Sequence, residues 1–131
     1  MGYSRELAQR AVQGDAEAQA ELGVCYSHGD GIEVDFDESY KWTLRAALQG
    51  NARGLFNLGK CYWDGQGVDH SMTEAVRWIR KAAEMNYAQA QYNLGLCYMT
   101  GNGIATDNTE AFKWFSRAAK NGYVKAYQYL R

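Results

Sequence analysis

Residues 88–122 read AQAQYNLGLCYMTGNGIATDNTEAFKWFSRAAKNG. Residues 52–86 read ARGLFNLGKCYWDGQGVDHSMTEAVRWIRKAAEMN, and the two stretches align without a gap. Working outward, Leu22-Gly23, Leu58-Gly59 and Leu94-Gly95 stand 36 residues apart, as do Cys25-Tyr26, Cys61-Tyr62 and Cys97-Tyr98. Gly29/Gly31, Gly65/Gly67 and Gly101/Gly103 keep the same step. So do Trp42, Trp78 and Trp114, and the pairs Ala46-Ala47, Ala82-Ala83 and Ala118-Ala119. Agreement at so many positions marks a repeat architecture, in which each unit buries its apolar face against its neighbours.

Each unit reads as two helices. Helix A spans 16–28, 52–64 and 88–100, with Ala18, Leu22, Cys25 and Tyr26 at helical spacing on one face. Asp15 and Asn51 are N-cap residues for the first two, and Gly29, Gly65 and Gly101 stand where a helix closes in the left-handed conformation. Helix B spans 36–49, 72–85 and 108–121. Asp35-x-x-Glu38, Ser71-x-x-Glu74 and Asp107-x-x-Glu110 match a capping box, in which the small side chain takes a first-turn N–H and the glutamate reaches back. Gly50, Asn86 and Gly122 end these helices. The predicted fold is all-α, a superhelix (solenoid) of 36-residue antiparallel helix pairs. One helical-repeat domain covers 1–131: a lone B-type helix at 3–15, units at 16–51, 52–87 and 88–123, and a partial fourth unit, a cut A helix, at 124–131. Solenoids normally need polar ends, so this one implies either a fragment or a last face that packs on something else.

Composition narrows the classes. The 131 residues are 47% apolar and 22% charged, enough for a core and unlike a disordered chain. Proline is absent and glycine numbers 14, which suits helices closed by glycine caps. A net charge of −1 argues against a nucleic-acid partner, which a basic protein would bind. No stretch approaches the ~20 apolar residues of a membrane span. The opening MGYSRELAQRAVQGD lacks the apolar run of a signal peptide. Three cysteines form no disulfide framework and fit a reducing compartment. The expected location is cytoplasmic, or periplasmic or secreted if a signal was removed.

The pattern A-x-A-x-x-x-L-G-x-C-Y-x-x-G-x-G-[VI], followed by E-A-x-x-W-x-x-[KR]-A-A-x-x-[GN]-x-A, resembles the Sel-1-like repeat, a relative of the tetratricopeptide repeat. Units 52–87 and 88–123 match nearly throughout, and unit 16–51 departs at Ser39, where the small alanine is expected. The resemblance implies a right-handed superhelix and an adaptor that binds other proteins. Relatives serve degradation complexes, bacterial signalling and host interaction. Cysteine-rich relatives supply the alternative, binding or hydrolysis of cell-wall fragments such as peptidoglycan or β-lactams. A further alternative is a purely structural spacer within a larger protein.

Most recurring residues read as structural. Gly23, Gly59 and Gly95 interrupt helices at up to ~1 kcal/mol each, which a close approach of helix B offsets. The three tryptophans read as core anchors. Equivalent cysteines of neighbouring units stand about 8–10 Å or more apart, too far for one zinc ion or a disulfide. GDGIEVDFDE (29–38) lacks the spacing of a calcium loop. His28 and His70 occupy non-equivalent positions with no nucleophile in view, so no enzyme, cofactor or metal is expected.

Function is expected where the units differ. Aligning Leu-Gly-x-x-Tyr with the tetratricopeptide motif places Val24, Ser27 and His28 of unit one on a concave groove. Arg53, Phe56, Lys60, Trp63 and Asp64 follow in unit two, and Gln89, Tyr92, Leu96, Met99 and Thr100 in unit three. Spacings of three and four put each set on one helix face. Asn57 and Asn93 join them by resemblance, since asparagines at this place in tetratricopeptide relatives hold a peptide backbone or carboxylate. The expected ligand is a peptide or helix, although Phe56 and Tyr92 also suit packing between A helices. Charge is uneven: residues 1–65 hold six basic and ten acidic side chains, residues 66–131 eight and five. With the uncapped C-terminal face, this points to head-to-tail self-association.

Overall fold

The computed structural model describes residues 2–131. Seven α-helices follow in order: α1 (Arg5–Val12), α2 (Ala16–His28), α3 (Phe36–Leu48), α4 (Ala52–Asp64), α5 (Met72–Glu84), α6 (Ala88–Thr100) and α7 (Asn108–Lys120). Helices α2, α4 and α6 are the A helices, and α1, α3, α5 and α7 are of B type. Among the described residues there is no strand. The closing segment differs from the expected A helix: Val124–Tyr129 is a 3-10 helix. Its only buried residue is Ala126, and Tyr129 stacks on Phe115 with ring centroids 4.5 Å apart.

Local chemistry sets each boundary. Asp15 accepts from the Ala18 N–H at 3.2 Å, and Asn51 from the Gly54 N–H at 2.8 Å. Asp35, Ser71 and Asp107 do the same for Glu38, Glu74 and Glu110. The other half of the expected capping box does not form. The N-cap N–H groups of Asp35, Ser71 and Asp107 instead donate to the carbonyls of Tyr26, Tyr62 and Tyr98, each at 3.0 Å. Those carbonyls belong to the preceding A helix, so the bond ties the two helices of a unit together. The displaced glutamates pair outward with Lys41, Arg77 and Lys113. Asn86 closes α5 with φ 70°, the one non-glycine residue with positive φ among those described.

Each A helix packs on the B helix of its own unit, and each B helix packs on the next A helix. Gly59 shows how close this packing is. A Cβ there would meet Ile79 Cγ1 at 2.5 Å and the Ala75 carbonyl at 3.0 Å. At Gly95 it would meet the Phe115 ring at 2.8 Å. The core continues through Leu58, Ile79, Leu94 and Phe115, with the alanine pairs between them. Cys25, Cys61 and Cys97 are buried free thiols. Trp42 and Trp114 are core side chains at 8% and 5% exposure. Trp78 is only half-buried, a departure from the expectation of three equivalent anchors.

Candidate functional site

Helices α2 and α4 pack directly on each other, whereas α3 and α5 make no comparable contact, so the A helices of units one and two approach on one side of the stack. A cleft of about 400 Å³ opens on that side between units one and two. Its walls bring together Arg53, Phe56, Asn57, Lys60 and Gln89 of the sequence-derived set with Val24, Ser27 and His28 of unit one. Tyr87 and Gln66, which sequence reasoning passed over, also line it. Trp63, at the end of α4, and Tyr92, Asn93, Leu96 and Met99, on α6, lie outside this cleft.

Within the cleft, Ser39 and Ser27 donate to the Gly23 and Val24 carbonyls, while three further polar side chains stand without such partners. Neither Arg53 nor Lys60 pairs with a carboxylate among the described residues. The Asn57 Nδ2 is buried and has no hydrogen-bond partner. A buried amide donor without an acceptor costs about 1–3 kcal/mol, and the Trp114 Nε1 is the other buried donor in this position among the described residues. At the cleft wall, burial pushes the Cys61 thiol up to about 11, with Asp64 adding to the shift. A thiol held protonated is no nucleophile. Burial raises Tyr87 too, while Arg53 acts in the opposite sense.

Two aromatics proposed as contacts are engaged elsewhere. Phe56 is 2% exposed, and its ring lies 5.5 Å from that of Tyr87. It is a floor to the cleft and presents no free face. Tyr92 packs among Phe115, Tyr123 and Tyr129, with its nearest centroid 4.8 Å away at Tyr123. It joins successive elements while staying partly exposed. The physical reason is the N-cap position. Tyr87 and Tyr123 stand where units one and two carry Asp15 and Asn51, and neither makes a side-chain cap. Each trades the cap for a ring laid over the aromatic 31 residues earlier. A tyrosine in a capping position was the signal in the sequence that Phe56 would be covered.

Of the remaining positions, Trp63, Asn93, Leu96 and Met99 are partly exposed, and Gln89 is exposed. Trp63 and Met99 rest against the core with their remaining surface open. His70 accompanies Trp63, its Nδ1 2.8 Å from the Trp63 carbonyl. Among the described residues no group of histidines, cysteines and carboxylates is arranged to hold a metal ion. No helix among them is long and apolar enough to cross a membrane.

The Sel1 repeat family model matches residues 16–51, 52–87 and 88–123. The chain belongs to the Sel1 repeat family. A Sel1 repeat protein from Oxalobacter formigenes is 40% identical, with a TM-score of 0.86 over 90% of this chain and 47% of that one. The protective antigen c5321 of uropathogenic Escherichia coli strains, which displays an SLR fold, is also 40% identical. Its TM-score is 0.88 over 92% of this chain and 26% of that one. This Sel1 repeat chain thus spans about half the length of the first and about a quarter of the second. Cysteine rich protein B of Helicobacter pylori shares the fold at 22% identity and a TM-score of 0.76, covering 93% of this chain and 92% of that one. No match was found among curated proteins. Sel1 repeats generally serve as protein-interaction scaffolds without catalytic activity.

Proposed function

We propose that this chain is a protein-interaction adaptor that holds a peptide or helix of its partner along the A-helix side. The reading rests chiefly on the cleft between units one and two, where the unpartnered Asn57 Nδ2 stands beside two unpaired cations, Arg53 and Lys60. Peptide backbone is rich in carbonyl acceptors, and those are what a buried amide donor lacks. From there the ligand runs toward unit three along Trp63, Gln89, Asn93, Leu96 and Met99. Partly exposed aromatic and thioether side chains flanked by cations suit such recognition. Phe56 supports the floor, and Tyr92 contributes only its open edge.

The test selects displayed random peptides on the full chain and measures each binder against two double variants. Trp63→Ala/Met99→Ala removes the apolar strip, and Arg53→Ala/Lys60→Ala removes surface charge with little effect on packing. The reading expects about tenfold weaker binding or more in both, with helical content retained. Undiminished binding in both variants contradicts it.

A further inference from the structure

In units one and three, side-chain amides close the edge where a B helix ends and the next A helix begins. Gln19 is buried, donates to the Ala11 carbonyl at 3.0 Å and accepts from Gln49 at 2.9 Å. Gln91 is buried, donates to the Ala83 carbonyl at 3.2 Å and accepts from Asn121 at 2.8 Å. Unit two carries Leu55 and Met85 at these two register positions. The amide ladder is broken there. In its place a cleft of about 520 Å³ opens, in which Leu48 is 69% and Met85 51% exposed.

A second departure falls at the same place. Arg45 and Arg117 lie over the Trp42 and Trp114 rings, each 4.6 Å from the centroid. Unit two has Lys81 at that register position, with Nζ 5.9 Å from the Trp78 centroid, and the Arg77 guanidinium takes the nearer place over the ring at 5.1 Å. Neither cation stands as close to its ring as Arg45 and Arg117 do to theirs, and Trp78 lines the cleft. Lys81 has no carboxylate partner among the described residues. Arg77 beside it reaches Glu74 only at 3.5 Å. Folding does not call for these exchanges, because units one and three solve the same packing problem with polar pairs.

We propose that this cleft is a second docking site, separate from the A-side groove. Its occupant is a partner segment that inserts one aliphatic or aromatic side chain between Leu48, Leu55, Trp78 and Met85. A carboxylate next to that anchor faces Lys81 and Arg77. Glu84, on the same helix toward its C-terminal end, repels an acid placed there and so fixes the direction of the segment. The two clefts share no lining residue, so both can be occupied at once.

The discriminating variant is Leu55→Gln/Met85→Gln, which installs in unit two the pair that Gln19 and Gln49 form in unit one. Displayed random peptides are selected on the full chain and each binder is titrated against this variant, Lys81→Glu and Trp63→Ala/Met99→Ala. The expected result is a class of peptides with an apolar residue next to Asp or Glu. These lose about tenfold in affinity or more on the first two variants and keep it on the third. Circular dichroism reports whether Leu55→Gln/Met85→Gln folds; if it does not, exposed Lys81→Glu alone supplies the readout. Absence of such a class, or affinity unchanged on the folded variants, overturns the proposal. Sedimentation of the full chain gives the remaining outcome: self-association lost in Leu55→Gln/Met85→Gln makes a second copy the occupant and overturns it as well. Failure of the A-side reading appears only in the Trp63→Ala/Met99→Ala arm, so the two are told apart.

Discussion

Gly59 carries no side chain because two atoms of α5 occupy the space where one would be. An alanine would gain up to ~1 kcal/mol of helix propensity. It would also press on Ile79 and on the Ala75 carbonyl, and backbone cannot move aside cheaply. Overpacking costs about 1–3 kcal/mol, so Gly59→Ala is expected to destabilise by about 1–2 kcal/mol. Chemical denaturation measures this as a lower midpoint; a raised midpoint would show that α4 and α5 stand further apart than described. The buried thiols make a second test at this scale. Burial lifts Cys61 and Cys97 from 9.0 to about 11. A folded value above the unfolded one means that their contribution is complete below about pH 9 and lost as pH rises through about 11. Thermal midpoints should therefore fall across that window less steeply in Cys61→Ala/Cys97→Ala than in the natural chain. Identical slopes would contradict the burial of these groups.

At the scale of helices, the period and the caps were legible because they are local. Asp35, Ser71 and Asp107 each act within four residues of themselves, and Gly29 or Asn86 closes its helix through its own φ. The reciprocal glutamate of the capping box was not legible, since its competitor is the Tyr26 carbonyl of another helix. Phe56 was misjudged for a similar reason. Its face follows from register, but what covers that face arrives 31 residues later with Tyr87. Trp78 shares its register with Trp42 and Trp114, but the cations over its ring, Arg77 and Lys81, stand farther off than Arg45 and Arg117 do from theirs. Tyr87→Asn separates the two uses of that position. It offers a cap worth about 1 kcal/mol but uncovers Phe56 and forfeits an aromatic pair worth about 0.5–1.5 kcal/mol together with buried apolar area. Packing outweighs capping here, so the expected result is a net loss of about 1 kcal/mol in equilibrium unfolding. A gain would mean that Phe56 does not depend on Tyr87.

Across the whole molecule, shared residues build the stack and unshared ones decorate it. Leucines, alanine pairs and glycines recur because each unit solves the same packing problem with its neighbour. The broken amide ladder falls where unit two departs from the others, and the A-side cleft lies between units one and two. The sequence disclosed the A-helix side through its mismatches, although the cleft lies nearer unit one than the aromatic strip suggested. The second cleft stayed hidden, because Leu55 and Met85 look like ordinary core residues until Gln19 and Gln91 are seen bonding in their places. Amide hydrogen exchange tests the central assignment most directly. The full chain is compared with and without a selected peptide whose binding Leu55→Gln/Met85→Gln leaves unchanged. The account predicts added protection in α2, α4 and α6, with α3, α5 and α7 unaltered. Protection confined to the B helices, with the A helices unchanged, would contradict it.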